Sequence, residues 1–248
     1  MQTKSPANAG LFLCASRVEF RSKKRMKRWL LVGIVLMSTP VLAETDPLLG
    51  CPGARKWSER NEAAAKAAAL AAVPPTDPER RRLLRDMAER DREVRERAFG
   101  DGRKPTQGLL DQAAAVDRHN SAVLRSWLDA GQLPTDAAVG ADGMSAVWLL
   151  AQHADADPVL QAKLLEHYGA VPDFGGIEGR RYAMLVDRVL RAQGKPQRYG
   201  SQFTQADADS PIEMAPVENP QRLDELRAEV GLMPIDDCRC VMNNLRMR

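Results

Sequence analysis

The chain predicts a mainly α fold, and three observations carry that prediction: apolar residues recur at helical spacing in several separate stretches, Asp-Pro pairs mark helix starts, and Gly or Pro marks helix ends. The expected architecture is a single-domain, bundle-like helical fold with a loop-rich C-terminal part and at most a short β-hairpin. A length of 248 residues leaves room for one ordinary domain plus a targeting segment and a tail. Apolar residues at 44% and charged residues at 28% are what a soluble globular chain carries, unlike a disordered or membrane-embedded one.

Taken in order, Asn61 to Val73 is alanine-rich, which favours helix but supplies little to bury, and Pro74-Pro75 ends it. A new helix starts with Asp77 as N-cap and Pro78 at the first helical position. On it, Leu83, Leu84, Met87, Val94 and Ala98 share one broad face while charges pair around the rest, so it reads as a solvated amphipathic helix whose charge run needs no ligand. Gly108 to Pro134 holds the next helix, with Leu109, Val116, Val123, Leu124, Trp127 and Leu128 as apolar positions and Asp117 and Asn120 as surface neighbours three apart.

Ser145 to Ala154 is apolar nearly all round, the mark of a central buried helix. At about 100° per residue, His153 falls between Leu149 and Leu150, toward the core, whereas Asp155 points away from it. Asp157 precedes Pro158 and is expected to cap the helix PVLQAKLLEHY. After a glycine-rich connection, the next helix buries Tyr182, Leu185, Val186, Val189 and Leu190, with Asp187 at the edge of that stripe. KPQRYGSQF is expected to be a loop or short strand, and PQRLDELRAEVG a last short helix.

The address is written before the domain. Lys27 and Arg28 precede an uncharged run from Trp29 to Ala43, and Val41-Leu42-Ala43 supplies small or aliphatic residues before a cleavable bond, the pattern of a secretory signal peptide. The run is shorter than the roughly 20 residues a bilayer-crossing helix needs, so removal is expected and no stable membrane anchor should remain. Residues 1–25 read as a start-site artefact or a long basic n-region, 26–43 as the signal peptide, 44–76 as an alanine-rich lead, 77–235 as the helical domain and 236–248 as a tail. The expected location is the periplasm or the exterior. A lipoprotein reading of Leu48-Leu49-Gly50-Cys51 is weaker, because Glu44 and Asp46 interrupt the apolar run.

Export also changes the charge balance. Residues 1–43 hold eight of the 36 basic residues and one of the 33 acidic ones, so the rest has 28 basic and 32 acidic residues, net −4. No nucleic-acid footprint of clustered positive charge is left. Cys51, Cys238 and Cys240 remain after cleavage, and a bridge from Cys51 to either of the others would tie the two ends together.

The candidate chemistry centres on His153. A carboxylate beside a half-buried histidine orients the ring and stabilises its protonated form, and Asp187 or Asp117 is the expected partner. Arg188, Arg198, Gln197 and Gln202 are candidates to hold an anionic or amide-bearing ligand, with Tyr199 as a packing face or hydroxyl donor. Asn120, Gln152 and Asp155 complete the candidate binding set. The bland alternative is a satisfied core histidine in a polar packing network. No metal site is expected, since the helical geometry separates Asp155 from His153 and no HExxH or paired Cys/His spacing occurs. No cofactor is implied, GxSxG and phosphate loops being absent too. Two functions fit: a non-catalytic envelope module binding a small ligand or an envelope protein, or a periplasmic hydrolase or transferase with His153 as general acid/base.

Several short motifs occur together in a fixed order: Leu83-Leu84, Met87-Ala88, Asp91 and Arg95; Asp117 and Asn120; Val139-Gly140; Trp148 with Gln152-His153-Ala154-Asp155; Asp187-Arg188; Gln197, Tyr199, Gly200, Ser201 and Gln202; and Arg227, Gly231, Leu232 and Pro234. In these the chain resembles an uncharacterised bacterial family, the domain of unknown function numbered 6624, over roughly residues 80–235. It departs from the family pattern at Ser201, where Thr is usual, at Arg92, where Gln is usual, and at Gln132-Leu133, where an aromatic often precedes Pro134. The resemblance implies a fold unit and candidate residues, and no activity.

Overall fold

Helix α2, Pro78–Phe99, shows how the sequence builds this molecule. In the computed structural model, which describes residues 48–70, 73–100, 104–170, 178–204, 210 and 212–246, Asp77 caps α2 by accepting the Arg80 N–H at 2.9 Å. Leu84, Met87, Val94 and Ala98 are buried as their spacing predicts. Leu83 is 46% exposed, outside the expected face, because the buried stripe is narrower than the pattern suggested. The same stripe carries Asp91, wholly buried. That position corrects the reading of α2 as a helix with only solvated charges.

Eight α-helices and one two-residue strand pair are described. Preceding α2 is α1, Pro52–Leu70, which starts upstream of the expected alanine run. After α2 come α3, Gln107–Asp129, and α4, Asp136–Gln152, each capped by a threonine, Thr106 and Thr135. Helix α4 begins earlier than its apolar run predicts, and it is interrupted at Gly140, whose φ of 70° suits a residue without a side chain. Next are α5, Pro158–Gly169, and α6, Gly179–Ala192. Strands β1, Phe203–Thr204, and β2, Glu213–Met214, pair antiparallel with Phe203 opposite Met214. A 3-10 turn, Pro220–Arg222, leads into α7, Leu223–Glu229, and α8 follows, Ile235–Arg246. Most of residues 236–248 therefore lies in a packed helix.

Helix α4 is the centre. Met144, Val147, Trp148, Leu150 and Ala151 are buried on it, and α2, α3, α5 and α6 supply the surrounding apolar side chains, Leu84, Leu124, Leu160, Leu164 and Leu185 among them. A second cluster joins the two ends of the described chain: Cys51 and Ala54 pack with Phe203, Leu223, Met233, Ile235, Cys238, Val241 and Met242. Cys51 is bridged to Cys240, one of the two pairings that the sequence left open. A disulfide on Cys51 occupies the thiol that lipid attachment would need. No helix among the described residues is long and apolar enough to cross a membrane. The expected leader, residues 1–43, lies outside the described residues, as do the end of the alanine run at 71–72 and most of the glycine-rich connection at 171–177.

Asp157 caps α5 as expected, accepting the Leu160 N–H at 3.1 Å, and it also pairs with Arg125 of α3. Burial alone would push its carboxyl up, but Arg125 and the Leu160 N–H outweigh that and hold it below the ordinary carboxylate range. The unfolded chain therefore binds the proton first as pH falls. The stability from this cap is full above the ordinary carboxylate range and is lost as pH drops through the lower folded value. Asp157→Ala is expected to cost about 1 kcal/mol at neutral pH and to flatten the acid limb of the stability curve, read by urea unfolding at several pH values.

Candidate functional site

The buried Asp91 of α2 meets the end of α4. His153 is the residue that closes α4, with φ −91° and ψ 3°, and its Nδ1 lies 2.8 Å from Asp91 Oδ2 and 3.0 Å from Oδ1. A carboxylate oxygen accepts, so the Nδ1 proton is the one aimed at Asp91, and Nε2 is the ring nitrogen that Asp91 does not engage. Among the described residues Nε2 has no hydrogen-bond partner. The ring is mostly covered, its side chain 11% exposed.

Arg95 sits one helical turn beyond Asp91 and holds the arrangement from the other side. Its Nη1 donates to Asp91 at 2.6 Å, and its Nη2 donates to both oxygens of Asp117 on α3, at 2.9 and 3.0 Å. Burial pushes the Asp117 carboxyl up, against the pull of Arg95 and His153. Three helices thus contribute to one charge-alternating chain: Asp117, Arg95, Asp91 and His153. Asn120, one turn along α3 from Asp117, is buried, and its Nδ2 has no partner among the described residues.

His153 is thereby paired, but with neither expected carboxylate. Asp117 reaches it only through Arg95. Asp187 is committed elsewhere: its Oδ1 accepts the N–H groups of Arg198 at 2.7 Å and Tyr199 at 2.9 Å, and its Oδ2 accepts that of Ser201 at 2.9 Å. Burial pushes this carboxyl up while those backbone donors pull it down. Its work is to fold the QRYGSQ loop onto α6.

The other loop residues are occupied in the same way. Gln197 spans the loop with its amide, donating to the carbonyls of Gln202 at 3.0 Å and Ala215 at 2.7 Å and accepting the Gln202 N–H at 2.8 Å. Gln202 donates to the Ser201 hydroxyl at 3.1 Å and to the Met184 carbonyl. From α7 the buried Arg227 donates to the carbonyls of Tyr199 at 2.7 Å, Gly200 at 3.1 Å and Met233 at 2.7 Å. Burial pulls its pKa down to about 10, which still leaves it charged at neutral pH. Gly200 has φ 63°, and a Cβ there would lie 2.9 Å from Met214 Sδ. Gln197, Tyr199 and Gln202 are thus buried parts of a structural hub; the Arg198 side chain lies over the Tyr199 ring.

The remaining candidates cluster just past His153. Gln152 donates to the Arg181 carbonyl of α6 at 3.4 Å. Asp155 takes Arg188 Nη1 of α6 and the Gln161 amide of α5, the latter at 3.3 Å. Arg188 is 7% exposed, and its Nε and Nη2 have no partner among the described residues.

Asp91 and Arg95 are the residues that the functional reading of the sequence left out. Their signal was present: Leu84, Met87, Asp91, Val94 and Ala98 follow one heptad-like stripe, and an aspartate on such a stripe must be paired inside. No curated protein and no solved structure matches the chain. The family model DUF6624, described as a family of unknown function, matches residues 78–245, from the first residue of α2 into α8. The order of motifs from Leu83-Leu84 to Pro234 and this match over more than half of the chain agree: the protein belongs to the DUF6624 family.

Proposed function

We propose that this is an exported protein of the cell envelope in which the Asp91–His153 dyad is the acid/base centre of a hydrolase or transferase acting on a small ligand. The observation that carries the reading is the geometry at His153: a buried carboxylate fixes Nδ1–H, and the opposite nitrogen is left as a base without a partner among the described residues. In that position Nε2 removes a proton from water or from a substrate hydroxyl, and the imidazolium that forms is received by Asp91. Arg95, donating to Asp91 at 2.6 Å, keeps the carboxyl aimed. Export is supported by the Met26–Ala43 leader pattern and by the Cys51–Cys240 bridge, since disulfides persist in oxidising compartments.

A second reading, binding without turnover of a small ligand or an envelope protein, is favoured by Arg188, whose buried donors suit recognition whether or not chemistry follows. One experiment addresses both. The purified protein is treated with diethyl pyrocarbonate, and modification is followed at each histidine, with the exposed His119 and His167 as internal standards. His153 is expected to react in the folded protein on the timescale of those two. Reaction only after unfolding would overturn both readings in favour of a sealed packing histidine. A screen of simple esters, amides and phosphate esters then separates the two: turnover that falls by about 10² or more in His153→Gln marks acid/base catalysis, and saturable binding with no turnover marks the binding module.

A further inference from the structure

The guanidinium of Arg188 is divided in two. Nη1 is spent on Asp155, while Nε and Nη2, which together form one edge of the plane, are buried without an acceptor among the described residues. Two parallel N–H groups on one edge match the two oxygens of a carboxylate or phosphate. The molecule itself uses that edge in this way twice: Arg81 Nε and Nη2 hold Asp142 at 2.8 and 2.9 Å, and Arg222 Nε and Nη2 hold Glu225 at 2.8 and 2.9 Å. At Arg188 no carboxylate of the described residues fills it.

A second arginine lies on the same helix face. Arg181 lies seven residues before Arg188, two turns along the same face of α6. Its Nε makes no hydrogen bond, and Glu178 stands 3.4 Å away as its ion-pair partner. Burial lowers the pKa of Arg181, and the like charges of Arg180 and Arg92 add to that effect. Arg92 follows Asp91 on α2, and α2 and α6 both pack against α4. The end of α4 touches both, with Gln152 on the Arg181 carbonyl, Asp155 on Arg188 and, between the two in the chain, His153 on Asp91.

We propose that the α4–α6 seam beside His153 binds an oxyanion group of a ligand, a carboxylate or a phosphate, in bidentate fashion on the Nε and Nη2 edge of Arg188, with Arg181 adding charge. The proposal rests on the reading of His153 as the reacting group and gives its ligand a chemical class: an acid whose anionic handle is held on α6 while an adjoining bond meets Nε2.

Arginine Nε–H resonances of the isotope-labelled full protein test it directly. Sodium acetate and sodium phosphate are titrated separately at constant ionic strength against sodium chloride, and the Arg188 signal is assigned by its loss in Arg188→Lys. A saturable shift of that signal with acetate, phosphate or both is expected, and in Arg188→Lys, which keeps the charge but not the fork, protection of His153 from diethyl pyrocarbonate by the same anion should need at least about tenfold more of it. The stronger anion identifies the handle as carboxylate or phosphate. The bound anion should also slow the diethyl pyrocarbonate reaction of His153. A saturable shift without that protection would place the anion away from His153 and overturn the shared site. No saturable shift with either anion, in wild-type protein whose backbone spectrum shows it folded, would overturn the anion site itself. The reading of His153 then stands or falls on its own modification rate.

Discussion

Asp187→Ala should be among the most damaging single substitutions in the domain, lowering the unfolding free energy by roughly 3–5 kcal/mol, because each buried donor left without an acceptor costs about 1–3 kcal/mol. Three such donors depend on this one carboxylate, the N–H groups of Arg198, Tyr199 and Ser201. The damage should spread along the hub, since the carbonyls of Tyr199 and Gly200 are in turn the acceptors of Arg227. Asp187→Asn keeps the shape and one acceptor oxygen and is expected to lose about half as much. Urea unfolding of the three proteins measures the difference, and hydrogen exchange at residues 198–202 locates it. A loss under about 1 kcal/mol for the alanine variant would show that the loop is held by Gln197 and Arg227 without Asp187.

Reduction of the Cys51–Cys240 bridge should have an effect of similar size. The bond closes a loop of 189 residues, for which the chain-entropy relation gives about 5 kcal/mol as an upper figure. Part of that should be recovered by local release. Helix α1 also touches the rest of the protein through Ala54 in the second cluster, the Trp57 indole N–H on the Gly231 carbonyl at 3.2 Å, and Arg180 over the Trp57 ring. Denaturant unfolding with and without reductant should show a loss of roughly 3–5 kcal/mol, and hydrogen exchange should rise first in α1. Unchanged exchange there after reduction would mean that packing alone holds α1.

Much of the fold was legible because its signals are local. Asp77 and Asp157 announce their helices through cap chemistry that needs only the next three residues, and the all-round apolar run around Trp148 requires burial wherever the chain goes. The start of α1 at Pro52 was not legible, because the alanine run draws attention downstream while the segment before it is held by partners near residue 240. The site divides in the same way. Spacing placed His153 toward the interior, where the structure has it, but the identity of its partner depends on which carboxylate the packing of α2 against α4 brings there. Asp187, nearer in sequence, is consumed by backbone donors that no periodicity encodes. The partners of Gln197 and Gln202 were not legible, because amides in a loop without periodicity show none in the sequence; in the structure they are backbone groups of the loop, of Ala215 and of Met184 on α6.

The wide spacing of Cys51 and Cys240 also sets an order in time. In a chain that emerges amino-terminus first, the first sulfur precedes the second by 189 residues, roughly 10–40 s at a synthesis rate of 5–20 residues per second. Helices form in microseconds, and closing a disulfide takes seconds or longer. Helices α2 to α6 have therefore emerged, and can pack around α4, before the second thiol exists to react. A bridge that closes after that packing is expected to act as a latch on α1 and α8, governing how slowly they part.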